Sequence, residues 1–357
     1  MLRIKGEHNV VLWLVPILIL WAMLAWYIAK LNFSHEYESL IENEQIHAQS
    51  VSTDIADSFR RNLHFVAGVS GTFRQGLRVR NAVWKFGPNA LPDRSSKEAQ
   101  VKRWTRDPTL KDLNAQLKSI QDSLGIDLIY VVNAAGDCIA ASTEDMPDTP
   151  IGTNYTDRQW FANARNGHHG MQFAMGRTTQ IPGLFFSAPI VLDGQFNGAI
   201  VSKVDIPSLS FLTRRANAFV TDANGVIILA HDPAMLMMSV PGAKVNAMSA
   251  QEKESLYLKA DFPELKITSW DDSPDSRLKK VGMQTYPHVQ ASTNLEEFGL
   301  KVYSEVDLPG LLLIQRERWG NFFLIWLLGS AALLVAVTLF FYFRSVRQTK
   351  SAVEASE

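Results

Sequence analysis

Two runs without a single charge constrain this chain more than anything else in it. Residues 10–29 hold no Asp, Glu, Lys or Arg across 20 positions, and residues 319–343 hold none across 25. A helix needs about 20 apolar residues to cross a bilayer, so a simple soluble fold is excluded. The 289 residues from 30 to 318 have ordinary polar composition, enough for one large or two ordinary domains. Lys and Arg number 35 against 36 Asp and Glu, which leaves no overall basic field of the kind nucleic-acid binding needs. The single cysteine, Cys138, excludes an internal disulfide and any Cys-based zinc site.

The first run follows Arg3 and Lys5, as a signal peptide would. It is longer than a usual signal core, however, and Tyr27-Ile28-Ala29-Lys30-Leu31 is not a small-residue cleavage pattern. It reads as an uncleaved membrane helix. The second run is flanked by Trp319 and Tyr342 as interfacial aromatics and followed by Arg344, Arg347 and Lys350. Basic clusters beyond both runs place both termini in the cytoplasm, despite Arg316 and Arg318 on the other side, because long loops translocate largely regardless of charge. The segment between the runs then lies outside the cytoplasmic membrane, periplasmic or extracellular.

After the first run, Tyr37, Ile41, Ala48, Val51, Ile55, Phe59, Leu63, Val66 and Phe73 recur at steps of three, four or seven, an apolar stripe on a helix. No proline interrupts residues 32–86. A helix of about 45 residues would reach roughly 68 Å. Its stripe fits the chain's own domain or a twin helix, and the second option makes the helix a homodimer seam. Residues 87–109 are less regular. Leu110, Leu113, Leu117, Ile120 and Leu124 then mark a second amphipathic helix.

At Gly125 the period changes. Residues 127–142 read as strand, tight turn at Asn133 to Gly136, and strand. Residues 217–230 repeat the pattern, with Asp222-Ala-Asn-Gly225 lying over Asn133-Ala-Ala-Gly136 at an offset of 89. Further strands fit 184–191 and 198–206 in the first unit, and 260–268 and 300–305 in the second. The expected fold class is α+β: a two-span membrane protein whose long N-terminal helix feeds two modules with antiparallel sheets. The expected segments are a cytoplasmic tail (1–9), a membrane helix (10–29), helical residues 30–124, a membrane-distal module (125–210), a membrane-proximal module (211–318), a second membrane helix (319–343) and a tail (344–357).

These residues carry a family likeness. Ile129-Tyr-Val-Val-Asn-Ala-Ala-Gly136, Gly152-Thr-Asn-Tyr-Thr-Asp-Arg-Gln-Trp-Phe161, Gly170-Met-Gln-Phe-Ala-Met-Gly176, Pro182-Gly-Leu-Phe-Phe-Ser-Ala-Pro-Ile190, Gly198-Ala-Ile-Val-Ser-Lys203 and Phe219-Val-Thr-Asp-Ala-Asn-Gly-Val-Ile227 are the matching stretches. Residues 30–318 resemble a double Cache sensor region, two PAS-like modules on a long helix. The likeness is to C4-dicarboxylate sensor histidine kinases of the Dct type and to similar receptors fused to diguanylate cyclases. It implies ligand binding in the distal module, dimerisation through the long helix and a bacterial inner-membrane location. It also implies a signal passed along the helices to a cytoplasmic catalytic domain.

The residue chemistry points to the same module. Tyr155 and Arg158 stand one helical turn apart and share a face if the segment is helical. Arg158 offers a planar fork of donors matched to a carboxylate. Thr178 and Thr179 add hydroxyls near Gly176 and Gly183. Lys203 shares one sheet face with Ala199, Val201 and Asp205 by the period of two. Its ammonium calls for an anion, and a ligand carboxylate and Asp205 both fit. The resemblance tips this toward ligand, since the family's dicarboxylate contacts fall on Tyr155, Arg158, Thr179 and Lys203. Ser187 is a weaker candidate, more readily a strand hydroxyl bonded to backbone. Arg158, Trp160, Phe161 and Ala164 also match the R-x-W-[FY]-x-x-A pattern of amino-acid-binding double Cache domains. Those relatives hold the ligand ammonium with an acidic residue where this chain has Lys203. A dicarboxylate or other small organic acid is therefore favoured over an amino acid, with Asp205 as the dissenting residue.

Other constellations are weaker. His168-His169 lack a third ligand and read as a solvated turn, so no metal or cofactor is expected. Arg214-Arg215 and Lys279-Lys280 read as solvated charges. Asp271, Asp272, Asp275, Glu296 and Glu297 lack the EF-hand pattern and read as surface loops. No nucleophile elbow, P-loop or HExxH motif is present, so no enzymatic activity is expected in this chain. Only 14 residues follow the second run, and no histidine follows His288. The sequence reads as the input half of a longer receptor. Reporter fusions test the topology: fusions before Val10 and after Lys350 should report cytoplasm, and a fusion at the Gly225 turn should report the periplasm. A periplasmic C-terminus would end the two-span reading.

Overall fold

The computed structural model describes residues 5–87, 97–214, 216–270, 275–282 and 284–354. The expectations for Arg3, Arg215, Asp271, Asp272 and residues 88–96 lie outside these. The chain falls into two compact units. The first comprises Met1–Ile46, Thr285–Val289 and Asp307–Glu357, and the second His47–Gln284 and Gln290–Val306.

Four helices come first: α1 (Lys5–Phe73), α2 (Leu77–Lys85), α3 (Lys97–Trp104) and α4 (Pro108–Leu124). Then follow β1 (Leu128–Asn133), β2 (Cys138–Ala141), α5 (Gln159–Arg165), β3 (Gly170–Met175), β4 (Pro182–Leu192) and β5 (Gln195–Asp205). A 3-10 turn, Ile206–Leu212, leads to β6 (Ala218–Thr221), β7 (Ile227–Ala230), α6 (Ala250–Tyr257), β8 (Ile267–Ser269) and β9 (Leu278–Val281). The chain continues with β10 (His288–Leu295), β11 (Leu300–Asp307) and α7 (Pro309–Glu354). One sheet has the order β2-β1-β5-β4-β3 and the other β7-β6-β11-β10-β9-β8. Every neighbouring pair in the first is antiparallel. The fold is mixed α and β, with antiparallel sheets.

Local chemistry explains the principal boundaries. Asp107 caps α4 by accepting from Thr109 N at 2.9 Å, with Pro108 in the first turn where its missing N–H costs nothing. Gly125, at φ +65°, closes the helix. The two repeated hairpins use one device. Asn133 Oδ1 accepts from Ala135 N and Asp137 N, and Asp222 Oδ1 accepts from Asn224 N and Val226 N. Each is a short side chain imitating a backbone turn. Gly225 completes the second turn at φ +78°, where a Cβ would lie 2.7 Å from that of Ala243.

The long helix ends where its apolar stripe does: α1 stops at Phe73, Gly76 N bonds Phe73 O at 2.9 Å, and after extended Gly76 the chain restarts as α2. Two expectations need correction. The strand expected over 260–268 shrinks to Ile267–Ser269, while β3, β9 and β10 carry pairing that the apolar pattern did not reveal. The apolar stripe is also unavailable as a seam between copies. Ile55, Phe59, Leu63 and Val66 are buried in one cluster with Leu184 and Phe186 of β4, Val204 of β5, Val220 of β6 and Val302 of β11. Val51 packs against the same cluster. The opposite face of the helix carries Asp54, Arg61 and an exposed Phe65.

In the first unit, α1 and α7 each contain a stretch long and apolar enough to cross a membrane. Trp21 Nε1 donates to Trp326 O at 3.1 Å. Gly329 leaves room for the Trp21 ring, which any Cβ at that position would strike.

The packing of α1 is directly testable. Phe59→Ala should cost about 3–5 kcal/mol, the usual result of emptying a buried aromatic site, whereas Phe65→Ala should cost less than about 1 kcal/mol. Denaturant unfolding of the detergent-solubilised chain measures both. Equal costs would show that the buried face is misassigned.

Candidate ligand-binding site

The site is built on the face of the first sheet opposite α1. Alternation along β5 decides this: Ser202 donates to Val66 O of α1 at 2.7 Å, so Lys203 points to the other side. Cross-strand register places Leu128 and Phe185 beside Lys203, and Tyr130 beside Val201 on the same face. Gly183 lets the lysine stem lie flat, since a Cβ there would sit 2.5 Å from Lys203 Cε. Gly176 does the same for its head: a Cβ would be 3.2 Å from Lys203 Nζ and 2.4 Å from Thr179 Oγ1. The glycines near Thr178 and Thr179 thus make room for a buried cation.

Tyr155 and Arg158 are not on a helix. They flank a tight turn in which Arg158 N bonds Tyr155 O at 3.1 Å, and Arg158 is the extended residue capping α5. The turn still gathers the expected aromatics. Tyr155 lies 5.4 Å from Tyr130 and 5.6 Å from Trp160, ring to ring, and Trp160 lies 6.0 Å from Tyr130. Against this wall Arg158 is only 5% exposed. Its Nη2 donates to Met175 O at 2.9 Å, and its Nη1 is buried with no partner. Burial, then the nearby Arg177 guanidinium, lowers the Arg158 pKa. Arg177 is itself engaged by Asp157 and by Asn154 O. Burial raises the pKa of both Tyr130 and Tyr155, so both phenols stay protonated. Tyr130 Oη is likewise buried without a partner.

Lys203 is 1% exposed and already has partners within the chain. Its Nζ contacts Thr179 Oγ1 at 3.3 Å and Ile181 O at 3.2 Å, and pairs with Asp205 Oδ1. Thr178 is half-buried beside Thr179. Ser187 Oγ donates to Trp160 O at 2.8 Å, which commits its proton to the backbone. Sequence reasoning missed Tyr130, although its period-two relation to Leu128 and its pairing with Val201 would have put it on this face. It also missed the Met175 and Ile181 carbonyls, which no sequence pattern reveals.

A second space, about 520 Å³, is lined by Gln172, Phe173, Asp222, Tyr257, Glu297 and Phe298 among others. Its acidic groups are already satisfied. Asp222 accepts from the Tyr257 hydroxyl and two backbone N–H groups, and Glu297 pairs with Arg60 and His64. His169 lies 3.5 Å from Arg74 Nη1, and no cluster of three metal-ligating side chains occurs among the described residues.

The Cache domain family model matches residues 35–307. The C4-dicarboxylate transport sensor protein DctB of Rhizobium meliloti (strain 1021) is 28% identical over 134 residues, 37% of this chain and 22% of that protein. Its namesake from Pseudomonas aeruginosa is 26% identical over 161 residues, 44% of this chain and 25% of that protein. The chain thus matches about a quarter or less of the length of these relatives. The crystal structure of the V. cholerae histidine kinase DctB sensor domain superposes with a TM-score of 0.60 at 18% identity, covering 76% of this chain and 98% of that one. That likeness establishes the shared fold.

Proposed function

The chain belongs to the Cache domain family, and from that premise we propose that it is the sensory part of a transmembrane receptor for a small organic acid. Residues 30–318 form the sensor outside the cytoplasmic membrane, as two modules. The stretches at 10–29 and 319–343 anchor it in a bacterial inner membrane. The signal passes to a cytoplasmic output domain, a histidine kinase by analogy with the named relatives. Two copies pair along α1, using the face that carries Phe65 and Gly68 rather than the buried stripe. The chemistry is recognition, not catalysis.

One observation carries the ligand assignment: the buried Nη1 of Arg158 with no partner. An arginine cannot shed its proton, so a guanidinium removed from water needs an acceptor, preferably an anion. A ligand carboxylate supplies it. Tyr130 Oη and Tyr155 add phenolic donors, Trp160 walls the pocket, and Thr178 and Thr179 border the Lys203 end. Ser187 supports the floor through Trp160. Lys203 taken alone calls for a second carboxylate, which agrees with the C4-dicarboxylate in the relatives' names. A second reading has its own support: the Asp205 carboxylate is an acceptor for an ammonium, and an α-amino acid carries both groups.

Calorimetry on the full chain in detergent, with a panel of organic acids and amino acids, tests the assignment. Arg158→Ala should weaken the bound acid about ten- to a hundredfold, the equivalent of one charge-assisted hydrogen bond. The melting temperature without ligand should be nearly unchanged. Unaltered affinity would remove this pocket from the account.

A further inference from the structure

The charge balance of the pocket differs from what its two cations suggest. An ammonium has three protons, and three acceptors surround Lys203 Nζ: Thr179 Oγ1, Ile181 O and Asp205 Oδ1. The Phe185 ring, centred 5.4 Å away, covers it further. Asp205 Oδ1 is buried and has no partner besides this ion pair. The backbone holds Asp205 in place. Its N–H bonds Asp127 Oδ2 at 2.8 Å, Asp127 Oδ1 accepts from Ser208 Oγ at 2.8 Å, and the 3-10 turn Ile206–Leu212 starts at the next residue with Pro207 in its first turn. Arg158, by contrast, has met no anion.

We infer that Asp205 is a resident counter-anion for Lys203, a specificity-determining residue that makes the pocket select singly charged carboxylates over dicarboxylates. The inference rests on the reading of this pocket as a carboxylate site. With Arg177 paired to Asp157 and Asp127 adding negative charge beside Asp205, the cation left for a ligand once Lys203 and Asp205 neutralise each other is Arg158. A monocarboxylate neutralises it. A dicarboxylate leaves one buried negative charge uncompensated, or must break the Lys203–Asp205 pair and leave Asp205 without its partner. Both alternatives carry the penalty of an unpaired buried charge. Burial raises the pKa of Asp205 against the pull of Lys203, in keeping with a carboxylate that depends on its partner to stay ionised.

The test compares succinate with succinamate, which keeps the four-carbon frame but replaces one carboxylate by a neutral amide. Calorimetry uses the full chain in detergent at neutral pH. Wild type should bind succinamate about ten-fold or more tightly than succinate. Asp205→Asn and Asp205→Ser should each improve succinate binding about ten-fold while changing succinamate less than about three-fold. Using two variants protects the comparison against a folding defect in one. Wild-type preference for succinate, or an unchanged ratio in both variants, would overturn the inference. Arg158→Ala, measured in parallel, separates the two levels. If it weakens both compounds while the Asp205 variants leave the ratio unchanged, the inference alone fails. If it affects neither compound, or if neither binds to wild type, the carboxylate site fails and takes the inference with it.

Discussion

The cost of burying charge governs the candidate site. Two cations, Arg158 and Lys203, are buried at 5% and 1% exposure on the sheet face that carries Tyr130 and Phe185, beside Tyr155 and Trp160. A protein interior tolerates such groups only when each finds hydrogen-bond partners and a counter-charge. Lys203 finds both within the chain. Arg158 finds only one carbonyl, and its second arm is left over. That asymmetry distinguishes two residues that composition makes look equivalent, and the proposed carboxylate site rests on it.

The fold supplies the geometry. Strands β4 and β5, 11 residues each, pair along their length and sit near the middle of the first sheet. One face of this pair meets α1 through Leu184, Phe186 and Val204, and the other bears Phe185, Val201 and Lys203. Ser202 and Lys203, adjacent in sequence, therefore serve helix and pocket respectively. The glycines at 176 and 183 complete the arrangement by removing the side chains that would collide with the lysine.

Much of this was legible in the sequence. The uncharged runs are compositional and need no tertiary knowledge. The paired Asn133 and Asp222 turns were readable because a short polar side chain followed by glycine encodes its own local geometry. The apolar stripe on α1 was visible at helical spacing, but periodicity marks which face is buried and not what buries it. The seam expected between copies is therefore covered by the chain's own sheets. β3 and β10 were hidden because Gly170 and Gln172 in one and the polar residues of the other interrupt the apolar pattern, although the strands they pair with are their neighbours in sequence. At the site, residue types pointed to Arg158 and Lys203. That Lys203 is already partnered depends on the Ile181 carbonyl and on loop geometry, which residue types do not specify.

The central claim is that Arg158 holds a ligand carboxylate in the first sheet's pocket. A high-resolution structure of the full chain with its tightest-binding organic acid tests this most directly. The expected result is a carboxylate oxygen about 2.7–2.9 Å from Arg158 Nη1, with the Nη2 bond to Met175 O retained. Ligand density elsewhere, as in the space lined by Gln172, Tyr257 and Phe298, with Arg158 Nη1 still unpartnered, would contradict it.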